Sequence, residues 1–432
     1  MKKNYKTLFF QVLVTTLFLF GAFVPISLSA QTCNCNQYLY LNDVFGDLTH
    51  KFLIDPVTGE LTEVGNPWLA ADVIDNPHGL AIDLNGNFYI AEGASDPIYK
   101  VSCDGVLLDP DPVIPNPFPN PVGGGTTELR TTNFFAMDSV LYVVSEEAEE
   151  ILAFNLCDYS LIGRMQVDQG LNIQTWGFYI DGDNWYVPNR AGGTTSRMIS
   201  GSLNPTLYTD PATNSGTTLF PLQNGMPVGM TRDNAGNYYV IENQNGIATG
   251  NNIVLNKYAS DGTFITGITT ATDDGDNATD GLEGWWGARG IVYSESADLL
   301  FVSSQENCVA VFNTDLIQIV AENIGNPTGG NPKAIAITTE CCPDPLMEEV
   351  NVNICNINMV NEKYFLNELF PCEGLICGNE WMQDGIPTGM TYDPCDQSIT
   401  ITSTEGCGTF TKTGGGGAGS ICDAYSLTLN IF

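Results

Sequence analysis

The sequence predicts an all-β protein: a six-bladed β-propeller followed by a small, disulfide-rich module of the β-sandwich kind. Three observations lead there. A strand–turn–strand motif recurs about every fifty residues between Gly79 and Ala334, the spacing of one four-stranded blade. Strand-like segments ahead of the first copy lack an inner partner, while the last copy is an inner strand alone. Cysteines then crowd residues 341–432, with eight after residue 340 against five before it.

The chain opens on a secretory leader, residues 1–30. Lys2, Lys3 and Lys6 supply the positive start, Leu8 to Val24 the apolar run, and Leu28-Ser29-Ala30 the exit before Gln31. An uncleaved anchor helix is the competing reading, although Gln11, Thr15 and Thr16 interrupt a run that is barely long enough to span. No later stretch holds eighteen apolar residues, so no transmembrane segment is expected after cleavage. All thirteen cysteines lie beyond the leader, which suits an oxidising compartment. The expected location is secreted or cell-surface, with the periplasm as the alternative.

The propeller, residues 31–340, is read from its repeat. Asn76-Pro77-His78-Gly79-Leu80-Ala81-Ile82-Asp83 leads through Asn85-Gly86-Asn87 into Phe88-Tyr89-Ile90-Ala91-Glu92. The same order returns from Met226 to Asp233, through Ala235-Gly236-Asn237, into Tyr238 to Glu242. Weaker copies begin at Phe134, Gly177 and Gly290. Each reads as a tight hairpin with two further strands, which is one blade. Lys333 to Thr338 is an inner strand without followers; Tyr38 to Asn42, His50 to Asp55 and Leu61 to Val64 are three followers without an inner strand. Joined, they complete a sixth blade and leave the ring without an open edge. A seventh blade competes, because Pro387 to Asp393 echoes the motif.

Closure of this kind places Glu340 near Gln37, so Cys33 or Cys35 is expected to bond Cys341 or Cys342. In the module, residues 341–432, strand-like alternation appears at Glu349 to Asn353, Ser398 to Thr402, Thr409 to Thr413 and Tyr425 to Ile431. Fewer than a hundred residues bury only a modest core. Cys355, Cys372, Cys377, Cys395, Cys407 and Cys422 are therefore expected to make three bonds within it.

Composition narrows function. Hydrophobic residues make up 43% of the chain, enough for a real core, and 15 Lys+Arg oppose 50 Asp+Glu for a net charge of −35. Phosphate-mediated nucleic-acid binding has the wrong sign throughout. No nucleophile elbow, phosphate-cradling glycine loop or zinc-protease motif is present. No organic cofactor is expected.

The pattern of Pro77 to Glu92 and Pro227 to Glu242 resembles the NHL-repeat propellers and their relatives, the SMP-30/gluconolactonase-like and streptogramin-lyase-like proteins. The resemblance covers residues 38 to 340 and is clear in two blades. Its members include lyases, lactone hydrolases and pure binding modules, so it implies a fold more firmly than an activity. Two functional readings follow: an exported or surface binding protein, or a metal-assisted lactonase or C–O lyase. The lyase resemblance implies His78 as the candidate catalytic base, against an ordinary histidine at a blade entrance. His50 is expected on the surface.

Aligning Tyr40, Tyr89, Tyr142, Tyr186, Tyr239 and Phe301 puts Asp43, Glu92, Ser145, Asn189, Glu242 and Ser304 at one equivalent position, ringing one face. The gluconolactonase resemblance implies a divalent cation held by such oxygens; hydrogen bonding to a neighbouring blade is the alternative. Loops before inner strands and after second strands share a rim. That makes Glu92, Trp176, Arg190, Glu242, Trp285, Trp286 and Arg289 the expected ligand-binding set, with a small polar molecule, a carbohydrate or an extracellular protein as the partner. The tryptophans plugging blade seams is the competing reading. Asp273 to Glu283 resembles a calcium loop, with Asp274, Asp276, Asp280 and Glu283 as expected ligands; an ordinary acidic loop is the alternative.

Overall fold

The computed structural model describes residues 34–44, 46–65, 68–70, 73–93, 97–119, 126–127, 131–145, 150–167, 177–191, 195–203, 216–223, 226–243, 253–269, 290–304, 308–323, 332–342, 349–354, 363–366, 382–395, 397–403, 406–412 and 425–431. The leader falls outside them. The repeated motif owes its shape to one carboxylate. Asp83 Oδ1 accepts the amides of Asn85 and Asn87, at 2.8 and 2.9 Å, and Oδ2 accepts Asn87 Nδ2 and the Tyr89 hydroxyl, at 2.9 and 3.1 Å. Gly86 turns the chain at φ 82°. The second clear copy repeats the clamp: Asp233 binds the Asn237 amide, Asn237 Nδ2 and Tyr239 hydroxyl at 2.8, 2.8 and 2.9 Å. An acid, a glycine, an amide and a tyrosine at these spacings thus tie a first strand to a second. Gly79 is needed for closeness instead, since a Cβ there would lie 2.4 Å from the Phe134 ring.

Six such units form six blades. Blade 1 joins the inner strand Pro332–Cys342 to Asn34–Asp43, Leu48–Ile54 and Leu61–Glu63. Blade 2 is Pro77–Ile82, Phe88–Glu92 and Ile98–Val101, with isolated bridges from Ile98 to Ile114 and Val101 to Leu107 in the outer position. Blade 3 is Thr131–Met137, Val140–Ser145, Glu150–Asn155 and Leu161–Gln166. Blade 4 is Tyr179–Asp181, Asn184–Ala191, Thr195–Ser202 and Thr217–Pro221. Blade 5 is Met226–Arg232, Tyr238–Asn243, Ile253–Tyr258 and Phe264–Thr269. Blade 6 is Ile291–Ser294, Leu299–Ser304, Cys308–Asn313 and Gln318–Asn323.

Strand periodicity then builds the ring. Successive side chains point to opposite faces of a sheet, so each strand feeds two neighbours. In blade 5, Tyr238 and Val240 pack towards blade 4 with Tyr186, Met198 and Phe220. Tyr239 and Ile241 pack the other way, with Ile291, Leu300 and Val302 of blade 6. The same division fills every seam, and the last one returns Leu299, Phe301 and Val311 of blade 6 to Leu39, Leu41 and Phe52 of blade 1. The ring is closed by burial as well as by hydrogen bonds.

The closing strand pairs antiparallel with Asn34–Asp43, with Glu340 opposite Asn36 and Thr339 opposite Gln37. Glu340 accepts the Tyr40 hydroxyl and, at 2.7 Å, the Lys51 ammonium, which sits 4.2 Å from the Tyr38 ring centroid. Cys35 is disulfide-bonded, and Cys341 is its partner in the register.

The C-terminal module has two sheets. One runs in the order Glu349–Ile354, Tyr425–Ile431, Gly406–Lys412, Met382–Thr388, its first pair parallel; the other runs Lys363–Phe365, Ser398–Ile401, Met390–Asp393. Phe410 of the first is buried with its ring centroid 5.1 Å from that of Tyr392 of the second. The echo of the repeat at Pro387 to Asp393 is divided between the two sheets at Gly389, so it makes no blade.

Two expectations are corrected. Cys395 bonds Cys157 of blade 3, not a cysteine of the module, and Cys407 is a free, exposed thiol. Cysteine density suggested a self-contained module, but Cys395 sits on an exposed turn after Met390–Asp393, within bonding distance of the propeller's Cys157. His50 is not on the surface: it is 4% exposed, with Nδ1 2.7 Å from Glu63 Oε1 and its ring stacked at 5.9 Å on Phe52. It shares the face of Phe52, which packs into the seam with blade 6, while Glu63 on the outer strand supplies the polar partner.

Candidate functional site

Blade topology sorts polar residues onto two rims. The turn between first and second strands lies on one, and the ends of second strands lie on the other. Of the residues expected from sequence, His78, Glu92, Arg190 and Glu242 are described, and they lie towards the second-strand rim. His78 lies half-buried in the irregularity between Pro77 and Leu80, and Pro77 faces Glu92, so these two strand ends are brought together. Glu92 accepts the Tyr99 hydroxyl at 2.9 Å and the Asp75 amide at 3.1 Å. Tyr99 is pushed up to about 12, by burial first and then by that carboxylate.

Glu242, 0% exposed, accepts the Tyr258 hydroxyl, and that oxygen in turn accepts the Gln223 amide of blade 4 at 3.0 Å. A buried carboxylate therefore reaches the neighbouring blade through a tyrosine, whose pKa burial and Glu242 drive upward. Asp43, Ser145 and Asn189 at the equivalent position are buried too. Arg190 sits in the second strand of blade 4 opposite Ser196. Trp176, Trp285, Trp286 and Arg289, and the expected calcium ligands Asp274, Asp276, Asp280 and Glu283, lie outside the described residues. Among the described residues, no three His, Cys, Asp or Glu side chains gather as a metal-binding group.

The opposite rim carries a cavity of about 490 Å³ where the first turns of blades 4, 5 and 6 meet. Its polar lining is Tyr179 and Asp181 from blade 4, Arg232 and Asp233 from blade 5, and Tyr293 and Glu295 from blade 6. Arg232 crosses between blades. One guanidinium nitrogen pairs with Asp181, Nε donates to the Gly236 carbonyl at 3.0 Å, and the group lies 4.9 Å from the Tyr238 ring centroid. The oxygens of Asp233 are held by its own turn, and the Tyr293 hydroxyl donates to Asp298 at 2.8 Å.

Two groups remain open. The Tyr179 hydroxyl and the exposed Glu295 carboxylate have no hydrogen-bond partner among the described residues. Tyr179 is pushed up to about 12, chiefly by burial and then by Asp181, with Arg232 opposing. It stays a neutral donor at physiological pH. Sequence reasoning passed over this rim, although one signal was present. Arg232 stands where the first clear repeat has Ile82, a cation in place of an apolar residue at the end of the inner strand.

No family model matches the chain, and neither does any curated protein sequence. Among solved structures it is similar to a chain of a nidogen/laminin complex, with 12% identity, a TM-score of 0.46, and coverage of 70% of this chain and 98% of that one. It is similar also to a putative 6-phosphogluconolactonase from Bacteroides fragilis, with 11% identity, a TM-score of 0.42, and coverage of 72% and 99%. Streptogramin B lyase gives 12% identity, a TM-score of 0.39, and coverage of 70% and 80%. Likenesses at these identities and TM-scores assign neither a family nor an activity.

Proposed function

We propose that this chain is an exported binding protein, built on an NHL-like propeller, that holds a small polar ligand in the cavity between blades 4, 5 and 6. The observation that carries the reading is the cavity itself. Its volume of about 490 Å³ lies within the range of small-ligand sites, and three successive blades contribute polar groups to it. Most of those groups are already fixed: Asp181 by Arg232, Asp233 by its turn, Tyr293 by Asp298. A site whose side chains are immobilised beforehand loses less entropy on binding. Tyr179 and Glu295, one donor and one acceptor, are the groups left to a ligand. Export through the leader and the disulfides of Cys35 and Cys157 fit a protein working outside the cytoplasm.

The test is a calorimetric screen of small polar compounds against the mature protein and a Tyr179→Phe, Glu295→Gln variant. Two hydrogen bonds at about 1 kcal/mol each, more where a charge takes part, predict a loss of at least about tenfold in the variant. Circular dichroism should show the fold intact. A ligand that binds both proteins equally overturns the assignment. One abolished instead by replacing Trp285 and Trp286 moves the site to the opposite rim.

A further inference from the structure

We infer that the ligand of this cavity is an organic cation: an alkylammonium or guanidinium group on a small molecule or on a basic side chain. The inference rests on the binding reading above and names its chemistry. Three carboxylates, Asp181, Asp233 and Glu295, share the lining with one cation, Arg232. That cation is spent internally, since it pairs with Asp181, donates to the Gly236 carbonyl and lies over the Tyr238 ring. Asp233 is satisfied by the neutral donors Asn237 and Tyr239, which leave its charge uncancelled. Glu295 has no cationic partner among the described residues. The cavity is thus negative after its internal pairing is complete, in a chain whose net charge of −35 draws cations towards it at long range.

An anionic ligand would meet unpaired like charge and would have to displace Asp181 from Arg232. A bare metal ion is a poor match, because the carboxylates come from three blades around a cavity many times the volume of an ion and do not gather as a metal-binding group. An ammonium group on a carbon chain suits both features. It makes charge-assisted hydrogen bonds to Glu295 while its chain lies along the rings of Tyr179 and Tyr293. Neutral Tyr179 can serve a hydroxyl or carbonyl elsewhere on the same molecule.

The mature protein should be titrated calorimetrically with putrescine, arginine methyl ester, methyl glucoside, gluconate and calcium chloride. The two organic cations are expected to bind in preference to the rest, with affinity falling about tenfold or more between low and high salt. Glu295→Gln should weaken them about tenfold. Arg232→Met should strengthen them, because Asp181 is released to the ligand. Should that variant lose its fold, Glu295→Gln and the salt series still decide. Preferential binding of the glucoside, insensitive to Glu295→Gln, overturns the cation inference and leaves the binding reading standing. Preference for gluconate or for calcium overturns it likewise. Silence from every probe counts against both readings.

Discussion

Raising the pH above 10 is expected to unfold the propeller in one cooperative step. Tyr142, Tyr179 and Tyr238 are each pushed up to about 12, in every case by burial first. Tyr89, Tyr239, Tyr258 and Tyr293 are driven further, by burial and by Asp83, Asp233, Glu242 and Asp298 respectively. An unfolded tyrosine titrates near 10. Below that pH both states keep the proton and these groups leave stability unchanged. Above it the unfolded chain releases protons first, so stability falls steadily as pH climbs towards the folded values. For Tyr142 the rise is worth on the order of a few kcal/mol once expressed, and the more exposed rings contribute less because solvent screens them. Several such contributions together are comparable with an ordinary stability of roughly 5–15 kcal/mol. Tyrosinate absorbance and β-sheet circular dichroism should therefore change together between pH 10 and 12. Gradual titration near 10 with the sheets intact would show that these hydroxyls are not held as described.

Replacing Cys157 or Cys395 by serine is expected to cost about 5 kcal/mol. The bond closes a loop whose ends are 238 residues apart, and chain-entropy models value a loop of that size near this figure, less any native strain. Denaturant unfolding should show a lower midpoint for either variant. Reductant should lower the wild type at least as far, since it opens the Cys35 bond as well, and move the variants by less than it moves the wild type. An unchanged midpoint in the serine variants would mean that the unfolded chain is already compact enough to bear the link without cost.

What could be read in advance was local chemistry. The Asp83 and Asp233 clamps involve residues within six positions of each other, so turn and register are written in one short stretch. Counting unpartnered strands was enough to close the ring, because a missing inner strand and a surplus one can satisfy each other in only one way. The Cys157–Cys395 bond was beyond such reasoning, since it depends on where two turns of different sheets point in space. His50 was misjudged for a related reason: it lies in the third strand of blade 1, and the seam that buries it and the Glu63 that pairs with it come from another blade and from the next strand. The cavity is the strongest case. Asp181, Arg232 and Glu295 lie on three turns separated by 51 and 63 residues, and only the curvature of the ring makes them neighbours.

The bond between Cys157 and Cys395 also decides how the molecule carries mechanical load. If tension is applied between blade 1 and the module, one covalent path runs through blade 3 to Cys157, crosses the sulfur bridge to Cys395 and leaves through the rest of the module, alongside the share carried by the Cys35 disulfide. Blades 4, 5 and 6 lie in the chain between the two bridged cysteines, on the slack side of that bridge. The cavity between blades 4, 5 and 6 therefore sits in a part of the chain off that path while the bridge holds. At about 3.3–3.6 Å per extended residue, the 238 residues it spans conceal roughly 800 Å of contour length. Stretching single molecules with and without reductant should reveal that length only when the bridge is cut, so the same bond would act as a fuse that shields blades 4, 5 and 6 from the pull.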